Sequence, residues 1–315
     1  MKKHKEEYMA SRLAREALED VKCPKQIRYE EIRPYFTKRD TYRTEEDLNE
    51  VILGVAVFTE YLKTRQAYRF HPLLASELNA ATELDFRMQD LHLPYDTFYM
   101  DIEESHMTVD NKEIIGVYIH NNPKDQVLAM IALVRVNPVQ IVFMKASMDY
   151  SEGKTLEDSL IDFEGGYTGE RSYNHLIFSL IAYLSSSEPD ISDKGRETVL
   201  VRLRNGKSVP SATRHWDVGY RYVKAYKKEL GFVPNPSECH VQESKGSHQS
   251  PRRHLRAAHW HTYLYGPGKK LRKVLWVSAA WVGTGDDDVD VIHVQDNKQE
   301  GGVFHGCISA QQTGH

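Results

Sequence analysis

The stretch Arg252-Arg253-His254-Leu255-Arg256-Ala257-Ala258-His259-Trp260-His261-Thr262-Tyr263 gathers arginines, histidines and a tyrosine into one short run. Histidine is the side chain whose ordinary pKa lets it give or take a proton near neutrality, and arginine forks bind phosphate oxygens in pairs. Cleavage of RNA without a metal needs a base for the ribose 2′-OH, an acid for the leaving 5′-oxygen and cations for the charged phosphorane. His259 and His261 have the types for the proton transfers, in an order the sequence leaves open, with Arg256 to stabilise charge and Tyr263 to orient or donate. Between Glu243 and Asp286 the chain has no acidic residue, whereas Lys245, Arg252, Arg253, Arg256, Lys269, Lys270, Arg272 and Lys273 lie inside. That local asymmetry suits a polyanion.

Strand geometry sets the pattern. Ala258 to Leu264, then Tyr265-Gly266-Pro267-Gly268-Lys269, then Leu271 to Val277 has the form of a β-hairpin. Side chains alternate along a strand, so His259, His261, Tyr263 and Tyr265 should share one face. Trp260, Thr262 and Leu264 should share the other, with Trp260 and Leu264 against a core. Arg252, Arg253, His254, Trp260, Lys269, Lys270, Arg272 and Lys273 are the candidate RNA-binding residues around that face. Aromatics there could hold an unstacked base, although Trp260, Trp276 and Trp281 suit a core better than a base platform, since strands bury such residues anyway.

Other readings of the same residues stay open. His254, His259 and His261 could ligate zinc with Cys239 upstream, but no carboxylate or CxxC completes the set locally, so no metal or other cofactor is expected. The face could also bind phosphate or a protein partner without chemistry. Asp286-Asp287-Asp288 reads as a solvated loop, and Gly165-Gly166 and Gly301-Gly302 lack the strand and helix of a phosphate loop.

These residues need a scaffold. With 315 residues the chain can bury a core, and its net charge of -4 confines any basic surface to a patch. Its three cysteines, Cys23, Cys239 and Cys307, make no disulfide framework, which fits a reducing cytoplasm. No apolar run reaches membrane-spanning length and the N-terminus does not read as a signal peptide. Helices are expected from Lys3 to Val21, from the Thr44 cap to Thr64, from His71 to Arg87, and over Thr155 to Phe163, Ser172 to Ser185 and Trp216 to Leu230. After Leu176 to Leu184, Pro189 should stop the helix and Asp190 should cap the next element. Thr97 to Ile102, Ile114 to His120, Val127 to Val136 and Gln140 to Met144 predict an antiparallel meander.

The expected fold is therefore α+β: N-terminal helices, a central antiparallel sheet with flanking helices, and a small C-terminal basic module containing a β-hairpin. The expected divisions are a body over 1–235, a linker over 236–250, the basic module over 251–295 and a disordered tail over 296–315.

Arg253-His254-Leu255-Arg256 with His259-Trp260-His261-x-Tyr263, Gly266 to Gly268, then Trp276 and Val282, resembles the C-terminal signature of the type V-A anti-CRISPR family that blocks effector-nuclease biogenesis. Leu180-Ile181-Ala182-Tyr183-Leu184 with Glu188-Pro189-Asp190-Ile191 looks like that family's helix and its Glu-Pro-Asp-Ile ending. Leu93-Pro94 with Tyr99-Met100-Asp101-Ile102, and Gly116-Val117-Tyr118, look like its central strands. The resemblance runs from about residue 90 to 285. It implies a protein of a phage, plasmid or other mobile element, acting in the cytoplasm of a bacterial host. Its partners would be a target polypeptide, such as a nascent Cas effector, and that target's mRNA on the ribosome. On this reading the body recognises the polypeptide, and His254, Arg256, His259, Trp260, His261 and Tyr263 form the end that binds or cleaves RNA.

Overall fold

Thr44 starts a helix for a local reason: its hydroxyl accepts the Asp47 N–H at 3.0 Å, and Glu45, Glu46 and Asp47 face the positive end of the dipole. In the computed structural model, residues 9–24, 27–38, 44–80, 84, 86–109, 112–138, 140–151, 153, 155, 173–203, 206–223, 254–256, 258–277 and 280–282 are described. The helices are α1 (Met9–Asp20), α2 (Tyr29–Thr37), α3 (Glu45–Thr64), α4 (Pro72–Ala80) and α5 (Tyr173–Ser185). The strands of the main sheet are β1 (Gln66–Phe70), β2 (Thr97–Asp101), β3 (Thr108–Val109), β4 (Lys112–Asn122), β5 (Val127–Asn137), β6 (Gln140–Asp149), β7 (Ile191–Arg202) and β8 (Ser208–Val218).

These strands lie in the order β6-β5-β4-β2-β1-β8-β7, with β3 on β4. The architecture is α+β, as the sequence pattern implied. The meander from β2 through β4 and β5 to β6 is antiparallel, while β1 runs parallel to both β2 and β8, which makes the whole sheet mixed.

Alternation along β5 explains the layering. Leu128, Met130, Ala132 and Val134 enter a core with α4 and α5, whereas Ala129, Ile131 and Leu133 enter a second core with α1 and α3. A strand covered on both faces reads as a continuous apolar run, as Val127 to Val134 does. Gly116 marks a β-bulge in β4, where an added Cβ would sit 2.1 Å from the Tyr99 hydroxyl. Only glycine fits there.

Three expectations need correction. The helix expected over His71 to Arg87 stops at Ala80; beyond it Leu84 and Phe86 are buried and Arg87 bridges to Thr155. Trp216 belongs to β8, because pairing with Tyr68 of β1 overrides the helical spacing of its neighbours. A helical turn begins only at 220–223. Its cap is Asp190, whose carboxylate accepts the N–H groups of Arg221 and Tyr222 at 2.7 Å each. Asp190 thus caps a turn distant in the chain, while the residues directly after it form β7. The helix expected over 155–163 falls outside the described residues, apart from Thr155, as do residues 224–230, the linker and the tail.

Candidate functional site

The hairpin forms with the spacing the sequence implies. β10 (His259–Tyr265) pairs antiparallel with β11 (Leu271–Val277), and Gly266, Gly268 and Lys269 turn the chain with φ of 76°, 67° and 53°. Trp260 faces Trp276 across the ladder, with ring centroids 4.8 Å apart, and meets Phe86 of the body at 5.6 Å. With Val274 these tryptophans join the core above α5 and anchor the hairpin. Leu264 does not: it is 52% exposed, because the hairpin tip runs past the body.

The opposite face carries the histidines. His261 is exposed and its ring lies 4.2 Å from that of Tyr263, which is cross-strand from Lys273. His259 begins the same row and is half-buried. Lys269 and Lys270 are exposed at the turn. The structure brings His261, Tyr263 and Lys273 together, but not Trp260 or Arg272. Arg272 shares the body-facing side with Leu264, and its guanidinium is 4.0 Å from the Asp90 carboxylate. Burial works against charge on Asp90, but hydrogen bonds from Arg87 outweigh it and hold the carboxyl below its usual range.

His254 and Arg256 lie on a separate ladder, in which β9 (His254–Arg256) pairs with β12 (Ala280–Val282). Arg252, Arg253, Cys239, Gly165-Gly166, Asp286-Asp287-Asp288 and Gly301-Gly302 lie outside the described residues. Among the described residues no three metal-ligating side chains cluster, and no helix is long and apolar enough to cross a membrane.

A second polar cluster, absent from the sequence reading, sits at the carboxyl ends of the adjacent parallel strands β2, β1 and β8. Arg69 donates to Asp217 from Nε and Nη2 at 3.1 and 2.6 Å, and Lys194 approaches the other carboxylate oxygen at 3.2 Å. The Arg69 guanidinium lies 5.3 Å from the centre of the Tyr220 ring, which meets His71 at 5.0 Å. Asp101, in register with Arg69, accepts the Glu103 N–H at 3.1 Å. Burial pushes its carboxyl up to about 7, where it could exchange a proton at neutral pH. Nearby, Glu77 is raised by burial and accepts the Tyr222 hydroxyl at 2.5 Å. The only sequence signal for this cluster is Tyr99-Met100-Asp101-Ile102, a carboxylate ending an apolar strand; its partners lie far away in the chain.

A family model described as "AcrVA2-like: Anti-CRISPR type V subtype A2 family" matches residues 68–284. A crystal structure of AcrVA2 is similar with a TM-score of 0.52 at 17% identity, over 89% of this chain and 95% of the other, a likeness of fold. No curated protein sequence matches this chain significantly.

Proposed function

Because this chain belongs to the AcrVA2-like, anti-CRISPR type V subtype A2 family, we propose that it recognises a target polypeptide, such as a nascent Cas effector, and lowers the matching mRNA. The body reads the polypeptide and the outward hairpin face engages the RNA, in the bacterial cytoplasm. The observation that carries the RNA assignment is the edge-to-face pair His261 and Tyr263, exposed and beside Lys273, in a segment free of acidic residues.

In the catalytic form of this reading, one of His259 and His261 takes the 2′-OH proton as the oxygen attacks phosphorus. The other protonates the departing 5′-oxygen. Tyr263 orients the phosphate, and Arg256 or Lys270 stabilises the phosphorane. Trp260 serves by fixing the hairpin on the body.

Changing His259 and His261 together to alanine should abolish loss of target mRNA in cells while leaving polypeptide binding intact. Unchanged mRNA loss in that variant sinks the catalytic assignment. Incubating the purified protein with RNA in EDTA should still yield cleavage, since this chemistry needs no metal.

One observation favours a second reading, a non-enzymatic adaptor that grips RNA and recruits a host nuclease. Tyr263, Leu264, Tyr265 and Leu271 are 47–52% exposed at the tip, beside Lys269 and Lys270. An apolar tip with a basic rim suits docking on a macromolecule. Intact RNA in the EDTA assay, together with retained RNA binding, selects the adaptor.

A further inference from the structure

Exposed apolar side chains concentrate at one place. Of the six large hydrophobic residues that stand exposed among the described residues, four, Tyr263, Leu264, Tyr265 and Leu271, belong to the hairpin. An apolar patch with a polar rim marks a binding surface. Strand register divides the four. Leu264 pairs with Arg272 on the body side, whereas Tyr265 pairs with Leu271 on the outward face, next to the pair of Tyr263 and Lys273.

The turn makes a platform of Tyr265 and Leu271. Gly266 has a φ of 76°, and a Cβ added to it would come within 2.9 Å of the Leu271 side chain, so Leu271 lies across the turn against bare backbone. Directly opposed residues of an antiparallel pair have Cβ atoms about 4.5–5.5 Å apart, which joins the ring and the leucine into one apolar surface. His261 and Tyr263 close on each other at 71° and 4.2 Å, while Tyr265 makes no aromatic contact among the described residues and is 50% exposed.

The rim is cationic. Lys269 and Lys270 are exposed at the turn and Lys273 is exposed one alternation along β11 from Leu271. The hairpin's one ion pair among the described residues, Arg272 with Asp90, lies on the other side. A ring surrounded by unpaired ammonium groups suits a ligand that alternates flat apolar faces with negative charge, as a nucleic acid strand does. Two residues along a β-strand cover about 6.8 Å, twice the rise of about 3.4 Å per nucleotide in a helical strand. A base on Tyr265 with its phosphate at Tyr263 and Lys273 therefore belongs to a stretched, unstacked strand. In a duplex, neighbouring bases already cover both faces of each internal base, so the platform has nothing to meet.

We propose that Tyr265 and Leu271 are a base-stacking platform and that the ligand of this face is single-stranded RNA in extended form. One base lies on the platform, and the adjoining phosphate lies at Tyr263 and Lys273, next to His261. This rests on the RNA reading above and holds for nuclease and adaptor alike.

The probe is a fluorescent RNA of about 12 nucleotides without self-complementarity, alone or annealed to its complement, titrated with the full chain by anisotropy. Its 2′-O-methyl groups remove the attacking hydroxyl, so it is bound and not cut. The single strand should bind at least tenfold more tightly than the duplex. Tyr265→Ala should weaken single-strand binding about 5- to 150-fold, which is the alanine effect of about 1–3 kcal/mol per stacked base. Duplex binding, the Tm and the slope of log K against log salt should not change. Tyr265→Trp should bind at least as well as the parent, and Tyr265→Leu should behave like Tyr265→Ala. If Tyr265→Ala lowers the Tm, Tyr265→Leu, which keeps apolar bulk, carries the test.

Equal affinity for single strand and duplex, or parental affinity in Tyr265→Ala or Tyr265→Leu, would overturn the platform. Parental affinity in Tyr265→Leu does so because an apolar contact then suffices where a stack is required. In each of these cases RNA is still bound and the proposed function stands. If the parent chain binds neither form, the RNA reading itself fails.

Discussion

The outward hairpin face and the crest of the parallel strands use similar residue types in opposite circumstances. At the crest, Arg69, Asp217, Lys194 and Tyr220 interlock, and Asp217 is 6% exposed. On the hairpin, His261, Tyr263 and Lys273 face outward. A closed network holds its charges for the fold, whereas an open row offers them to an anion. Mutation should therefore move stability at the first region and binding at the second.

The largest expected effect is at the crest. Asp217→Ala strips a largely buried guanidinium of its carboxylate and should cost about 3–5 kcal/mol in urea unfolding. A loss below about 1 kcal/mol would mean that the network is solvated after all.

Trp276→Ala tests whether the hairpin shares the body's core. Removing a buried tryptophan costs about 3–5 kcal/mol where the site cannot collapse. If the main unfolding transition does not shift while tryptophan fluorescence changes, the hairpin unfolds on its own.

Asp101 sharpens the comparison through pH. Its folded pKa of about 7 exceeds the ordinary carboxylate value, so between about pH 4 and 7 the native state binds more protons than the unfolded chain. Stability falls as pH rises through that window, and the penalty is complete above 7. Asp101→Asn should raise stability at pH 8, by on the order of 2–4 kcal/mol, and change it little at pH 4. An equal effect at both values would refute the assignment.

The smallest effect on stability belongs to the hairpin. Lys273→Ala and His261→Ala should stay within about 0.5 kcal/mol of the parent. If Lys273 contacts a phosphate, its loss should lower the slope of log K against log salt by about 0.7 for single-stranded RNA. An unaltered slope would remove Lys273 from the interface.

Legibility in the sequence depends on how local each signal is. The Thr44 cap and the hairpin register depend on neighbours, and both appear as read. The Arg272 placement also comes from strict alternation, since Arg272 pairs with Leu264 on the body side. β1 escaped notice because Gln66-Ala67-Tyr68-Arg69-Phe70 is short and lies between two helices. β7 escaped because its exposed edge carries Asp193, Lys194, Arg196 and Glu197, with Gly195 among them. α2 carries an internal Pro34, which reads as a helix breaker. Of the crest cluster, only Asp101 at the end of an apolar strand leaves a trace in the sequence. The cluster exists only once β1 and β8 have met, and no local rule announces that pairing.

That meeting has a schedule. Arg69 and Asp217 are 148 residues apart in the chain, and bacterial or other ribosomes add roughly 5–20 residues per second. Roughly 7–30 s therefore pass between the synthesis of β1 and the arrival of its second partner. During that interval the helices and the antiparallel meander can form, since their contacts are close in sequence. β1 meanwhile presents an incomplete edge on the growing chain, and closure of the sheet by β8 is among the last steps of its folding.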